Sequence, residues 1–185
     1  MKKVLIVVDM QNDFITGALK NEAAEKIIST VIDKIKEYQD NGDIVFFTQD
    51  THYENSYLKS EEGKHLPVPH CIEGTYGWEI TAPLQKYIGS KPFIKHTFGC
   101  VDLMEAIGAV NKLTPVESIE LIGLCTDICV ISNAMLAKAY CPNTPILIDA
   151  ACCAGVTPES HNNALEAMKM CHIEVANQGE EPWQK

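Results

Sequence analysis

Apolar positions along this chain follow two alternating rhythms. Residues 4–8, Val-Leu-Ile-Val-Val, form an unbroken and mostly β-branched run suited to a strand covered on both faces. Ala24, Ile27, Ile28, Val31, Ile32, Ile35 and Tyr38 then recur at helical spacing, and Asn41-Gly42 supplies a stop. Further strands are expected over residues 44–48, 92–96, 118–124, 145–149 and 173–175, with helices over 78–88, 101–113, 128–140 and 158–171. Between Gln49 and Gly77 no period survives. Prolines, glycines and histidines crowd that stretch, and a loop that long in a compact domain is usually functional.

Strands alternating with helices predict an α/β fold of three layers, with a doubly wound, mainly parallel sheet of about six strands and right-handed crossovers. No repeat, low-complexity tract or linker interrupts residues 1–185, so one domain is expected. In such sheets ligands sit beyond the carboxyl ends of the strands, at the point where strand order reverses. Reactive side chains fall there: Asp9 closes the first strand, Asp50 and His52 follow the second, Lys95 ends the third, and Cys125 to Cys129 follow the fourth. No G-x-G-x-x-G follows the first strand and no G-x-x-x-x-G-K-[ST] occurs, so neither a dinucleotide site nor a phosphate-binding loop is indicated.

Composition narrows the setting. With 46% hydrophobic and 22% charged residues the chain reads as globular. A formal net charge of −10 argues against nucleic acid or an anionic membrane as partner. The apolar run after Lys2-Lys3 is broken by Asp9 and is too short for a signal peptide or a membrane span, so a cytoplasmic protein is expected. Eight cysteines without a secretion signal point away from a disulfide framework. Cys125/Cys129 and Cys152/Cys153 lack the spacing of a zinc knuckle. About six of the eight are expected to be buried thiols used as small apolar side chains, with Cys152-Cys153 packing after the strand that ends at Asp149.

Cys129 invites a sharper reading. It lies where a strand passes through a small turn into a helix, facing unsatisfied N–H groups and the positive end of the dipole. Both favour thiolate, as would a nearby lysine, and the same N–H groups could hold an oxyanion. A buried cysteine at a helix start is the alternative. Asp9 could equally cap a turn and Lys95 reach solvent, but on one sheet edge the three would supply a nucleophile, a proton acceptor and an electrostatic partner.

The motifs add a resemblance. Val7-Val8-Asp9-Met10-Gln11-Asn12-Asp13-Phe14, Ile94-Lys95-His96 and Gly123-Leu124-Cys125-Thr126-Asp127-Ile128-Cys129-Val130 resemble, in the same order and with similar gaps, the segments of isochorismatase-like cysteine hydrolases. Among these the chain is most similar to nicotinamidases/pyrazinamidases. The resemblance implies an isochorismatase-like hydrolase fold and an amidohydrolase with Asp9, Lys95 and Cys129 as catalytic residues. It further implies a cis Leu124–Cys125 bond aiming the Cys125 and Cys129 N–H groups at one oxyanion, and Phe14 in the substrate pocket. The expected partners are a small carboxamide, nicotinamide or a close analogue, and further copies of the chain in a homo-oligomer.

A divalent metal, zinc with iron or manganese as alternatives, is implied as well. Asp50-Thr51-His52 and the later His70 match the family's ligand pattern. Glu61, Glu62 and His65 are all available as the further ligand, and similarity to glutamate-bearing loops favours Glu62. The opposing reading makes these surface residues with no metal. Pro67 stands where many nicotinamidases carry an aromatic residue, and Trp78 is either packing or a stacking platform. Two other functions fit less of the pattern: a metal-free relative acting on an N-carbamoyl amide or an isochorismate-like ether, and a non-catalytic domain of the same fold. His161 and His172 read as ordinary helix-end or surface residues rather than ligands.

Overall fold

In the computed structural model, which describes residues 1–184, six strands form one parallel sheet. They are β1 (Lys2–Val8), β2 (Ile44–Asp50), β3 (Phe93–Lys95), β4 (Val116–Leu124), β5 (Ile146–Ala154) and β6 (Glu174–Ala176), in the order β3-β2-β1-β4-β5-β6. The chain builds outward from β1 to β3, then returns to the other side of β1 and builds outward again. β1 and β4 therefore flank the reversal point, and Asp9 and Cys125 directly follow them. The helices are α1 (Asn12–Ile15), α2 (Glu22–Lys26), α3 (Ile28–Asp40), α4 (Glu61–His65), α5 (Ala82–Gln85), α6 (Val101–Leu113), α7 (Ile131–Tyr140) and α8 (Pro158–Met170), and they cover both faces of the sheet. Among the described residues no helix is long and apolar enough to cross a membrane.

β1 and β4 carry the core because both faces are covered: Val4 to Val8 and Ile119, Leu121, Ile122 and Leu124 are all buried. Several elements differ from the sequence reading. The helix expected through Ala24 to Tyr38 is cut at Ile27 into α2 and α3. Over residues 78–88 only α5 is helical, because the preceding backbone is used elsewhere: Glu79 O accepts from Asn12 N–H, and Thr81 N–H donates to Met10 O. The helix expected from residue 128 begins as a wider π-type turn, Thr126–Val130, with the N–H groups of Ile128 and Val130 both donating to Cys125 O. β5 runs to Ala154, past an irregularity opposite Leu121/Gly123, so Cys152 and Cys153 are buried strand residues rather than residues after a strand.

Two features hold the centre of the sheet. Gly123 has φ +112, and a Cβ there would lie 2.2 Å from Val8 O. Only glycine lets β4 approach β1 this closely at the strand ends that carry the reactive groups. On the α3 side, Lys34 Nζ lies 3.1 Å from Glu120 Oε1 and 3.0 Å from Asp149 Oδ2, and Tyr38 OH donates to Glu120 Oε2 at 2.6 Å. Burial would pull the Lys34 pKa down, but Glu120 and Asp149 outweigh it and hold the ammonium charged.

Two outcomes follow. Gly123→Ala should cost more than about 3 kcal/mol in urea unfolding, because backbone strain and a backbone clash coincide. Lys34→Met should cost about 3 kcal/mol, since it strands two buried carboxylates; an unchanged unfolding midpoint would show that the network is not a stabilising one.

Candidate active site

The site is organised around a buried ammonium. Lys95 ends β3 and is only 3% exposed. Its Nζ lies 2.7 Å from Asp9 Oδ2, 2.8 Å from Asp50 Oδ1, 3.2 Å from Thr97 O and 3.4 Å from Cys129 Sγ. The strands explain the meeting: Asp9 follows β1, Asp50 ends the neighbouring β2, and register pairs Asp50 with Lys95. Burial alone would lower the Lys95 pKa, but Asp9, Cys129 and Asp50 outweigh it and keep the ammonium charged. For Asp9 burial dominates and raises the pKa, with Lys95 opposing it.

Cys129 corrects the expectation of a thiol made anionic by its surroundings. Burial pushes this thiol well above the ordinary cysteine value; Lys95 offsets only part of that, and Asp9 and Asp50 push it further up. What the site offers is a lysine that touches both the carboxylate and the sulfur, so a proton passing from Cys129 to Asp9 leaves the total charge unchanged.

Three residues that the sequence reading did not single out build this arrangement. Thr48 on β2 donates to Asp9 Oδ1 at 2.7 Å and accepts from Asp9 N–H at 3.2 Å, fixing a residue held at φ +47. The Gln11 side chain clamps the Asp50 backbone: Oε1 accepts from Asp50 N–H at 2.8 Å and Nε2 donates to Asp50 O at 2.9 Å. Asp13 accepts from Cys71 N–H at 2.7 Å and so ties down the loop next to His70. Gln11 and Asp13 sit inside the motif that supplied Asp9 and Phe14. That clustering was the available signal; their partners were not visible.

Four side chains converge beside the lysine. The donor atoms of Asp50, His52, Glu62 and His70 all lie within 4.8 Å of one another. His52 Nε2 is 3.0 Å from Asp50 Oδ2 and 3.6 Å from Glu62 Oε1; His70 Nε2 is 3.8 Å and 3.5 Å from the same two oxygens. The His70 ring donates through Nδ1 to Val68 O at 2.9 Å, which turns the Nε2 lone pair toward the cluster. His52 Nε2 is buried and makes no hydrogen bond of acceptable geometry. Two carboxylates and two imidazoles with such an orphaned atom fit a divalent cation. Glu61 and His65 remain outside the cluster: Glu61 pairs with Lys64, and His65 Nδ1 is hydrogen-bonded to Glu61 O at 2.8 Å. Asp50 belongs to both halves, and although burial would raise its pKa, His52 and Lys95 hold it at about 2.

Cys129 and the four-donor cluster open into one cleft of about 750 Å³. Phe14, Leu66, Phe98 and Ile128 give it apolar walls, and Phe14 meets the His70 ring edge-on at 5.6 Å. Phe98 was not anticipated, because nothing in its sequence neighbourhood marks it. Trp78 does not line the cleft; its indole N–H donates to Thr51 Oγ1 at 2.8 Å. The Leu124–Cys125 bond is cis. The turn that follows is pinned from several sides: Asn133 Nδ2 donates to Cys129 O at 2.8 Å, Val156 N–H donates to both Asp127 oxygens at 3.1 Å, and Thr126 Oγ1 is 2.8 Å from His161 Nδ1. His161 is thus no ligand and no surface residue either, since it is fully buried; His172 lies outside the site, exposed at φ +59.

The family model for the isochorismatase domain matches residues 3–179. The chain belongs to the isochorismatase domain family. It is similar to the solved nicotinamidase/pyrazinamidase of Bacillus subtilis, with 31% identity, a TM-score of 0.81 and coverage of 96% of this chain and 100% of that one. The pyrazinamidase of Pyrococcus horikoshii, solved in complex with zinc, matches at 26% identity and a TM-score of 0.80, over 96% of this chain and 99% of that one. The nicotinamidase/pyrazinamidase of Mycobacterium tuberculosis is 27% identical over 94% of this chain and 97% of its own. This member of the family therefore shares its fold with nicotinamidases over nearly its whole length.

Lys95→Met should destabilise the protein by about 4 kcal/mol, because two buried carboxylates lose their counter-charge. The sign of the pH effect is set by a lysine pKa raised on folding: the stabilisation is complete below the ordinary lysine value and is lost as pH rises through the folded value. Urea midpoints of the wild type should therefore fall in strong alkali, and less so for Lys95→Met.

Proposed function

We propose that the chain is a cysteine amidohydrolase that cleaves the carboxamide of nicotinamide, or a close heteroaromatic analogue, to the acid and ammonia. The observation that carries this reading is the contact of one buried ammonium with Asp9, Asp50 and the Cys129 sulfur, at the floor of a cleft that also holds four metal-type donors. The nicotinamidase relatives support the substrate class. A cytosolic role in NAD salvage and a homo-oligomeric assembly go with it.

In this mechanism Asp9 takes the Cys129 proton as the sulfur attacks the amide carbon. The carbonyl electron pair moves onto oxygen, which accepts from the N–H groups of Cys125 and Cys129; each such donor is commonly worth about 3 kcal/mol in the transition state. Lys95 stays charged throughout and stabilises whichever of the carboxylate and the thiolate carries the negative charge. Asp9 then delivers its proton to the amide nitrogen, the C–N bond breaks and ammonia leaves, giving a thioester. Water, losing a proton to Asp9, attacks the same carbon; the C–S bond breaks and the proton returns to sulfur. Phe14 packs against the ring. Asp50, His52, Glu62 and His70 would hold a divalent metal, zinc in the first instance, whose Lewis acidity supplies an anchor for a ring nitrogen. Proximity and orientation are what that anchor contributes.

Cys129→Ala should lower ammonia release from nicotinamide by on the order of 10⁴-fold or more while leaving the unfolding midpoint and metal content near wild type. Full activity in that variant would overturn the scheme. Elemental analysis should find stoichiometric divalent metal, lost in Glu62→Ala and retained in Glu61→Ala. A protein with neither metal nor ammonia release would instead fit a metal-free hydrolase of N-carbamoyl or isochorismate-like substrates.

A further inference from the structure

A second buried polar chain meets the nucleophile turn at Thr126, and none of its members lines the cleft. His161, in the first turn of α8, and Glu181 are both 0% exposed. His161 Nδ1 is 2.8 Å from Thr126 Oγ1, and His161 Nε2 is 3.2 Å from Glu181 Oε1. The other Glu181 oxygen, Oε2, accepts from Gly179 N–H at 2.9 Å and from Gln184 Nε2 at 2.7 Å. Trp183 closes the arrangement, meeting the imidazole edge-on at 5.0 Å while its indole N–H donates to Cys153 O at 3.0 Å. Cys153 is the β5 partner of Gly123, on the strand that leads into the turn. Gly155 makes room, since a Cβ there would sit 2.7 Å from His161 Cβ. Glu181 and Trp183 lie beyond residues 3–179 matched by the family model.

We propose that Glu181 and His161 are positioning residues for the nucleophile: the carboxylate fixes the tautomer of His161, and the tautomer fixes Thr126 and with it the turn carrying Cys125 and Cys129. The inference rests on the reading of Cys129 as nucleophile. The logic is one of donors and acceptors. A carboxylate only accepts, so His161 Nε2 carries the proton and Nδ1 carries the lone pair. Thr126 must then donate, which orients the side chain of the residue directly after Cys125. Burial lowers the His161 pKa despite Glu181, which favours the neutral imidazole over the doubly protonated one. In a pair serving stability alone, reversing the tautomer would leave the reactivity of Cys129 unchanged.

Glu181→Gln separates the two roles because it keeps the volume and reverses one hydrogen bond. Its amide oxygen is claimed by Gly179 N–H and Gln184 Nε2, so its NH2 faces His161 Nε2 and drives the proton to Nδ1. Thr126 must then accept instead of donate. The experiment compares wild type, Glu181→Gln, Thr126→Val and the double variant. It reads the imidazole ¹⁵N shifts of His161 and the rate at which iodoacetamide alkylates Cys129, resolved by peptide mass spectrometry. We expect the proton on Nε2 in wild type and on Nδ1 in Glu181→Gln, with alkylation changed by about tenfold, a scale set by sub-ångström misplacement of a reacting atom. Thr126→Val should show a similar change, and Glu181→Gln should add nothing in that background. With nicotinamide the loss should fall on kcat and leave KM in place. A proton that stays on Nε2, unaltered alkylation in Glu181→Gln, or additive effects in the double variant would overturn the inference. A wild type that releases no ammonia yet shows these alkylation differences would count against nicotinamide as substrate and leave the positioning role standing.

Discussion

The ammonium buried in this sheet is paired with two carboxylates buried beside it, and that arrangement organises the molecule. Lys95 brings β3 to the edge of the site, and its charge is balanced from β1 by Asp9 and from β2 by Asp50. Desolvating any one of these groups alone would be costly; together they satisfy one another. The sulfur of Cys129 joins from the opposite half of the sheet, 3.4 Å from the lysine nitrogen. Much of the surrounding detail serves to keep this arrangement in place. Thr48 holds the Asp9 carboxylate, Gln11 holds the Asp50 backbone, and the missing side chain of Gly123 lets β4 lie close enough to β1 for the halves to meet.

Asp50 gives the arrangement its second dimension. Its Oδ1 accepts from the lysine while Oδ2 faces His52 and His70. One delocalised charge therefore touches both the buried lysine and the four-donor cluster, so neither can be altered through Asp50 without the other. Substituting Asp50 would disturb both at once, whereas Glu62 lies only on the cluster side.

The sequence exposed elements whose own periodicity settles them and hid those settled by tertiary partners. Residues 101–113 could be read directly because Leu103, Met104 and Ile107 mark one buried face. Residues 78–88 could not, because their backbone pairs with the segment after β1 and not with itself. β5 continues past Asp149 because β4 offers a resumed register there, which no local pattern announces. At the site, strand ends placed Asp9, Asp50, Lys95 and Cys129 on one edge, but spacing could not choose among Glu61, Glu62 and His65. The short helix α4 makes that choice by turning Glu62 toward the histidines. Thr48 and Phe98 were invisible for the same reason, as their importance lies wholly in what faces them.

The strand order carries a consequence for how the chain is made. β1 sits mid-sheet but is synthesised first, and only β2 and β3 can dock on it until β4 emerges. Throughout that interval its other edge is an unpaired row of backbone N–H and C=O groups flanked by the apolar side chains of residues 4–8, the kind of surface on which nascent chains stick to one another. Until β4 arrives the lysine also lacks its contact with the Cys129 sulfur, which lies on the turn after that strand. Residues 4–8 are therefore the apolar segment separated by the most chain from its second neighbour, β4.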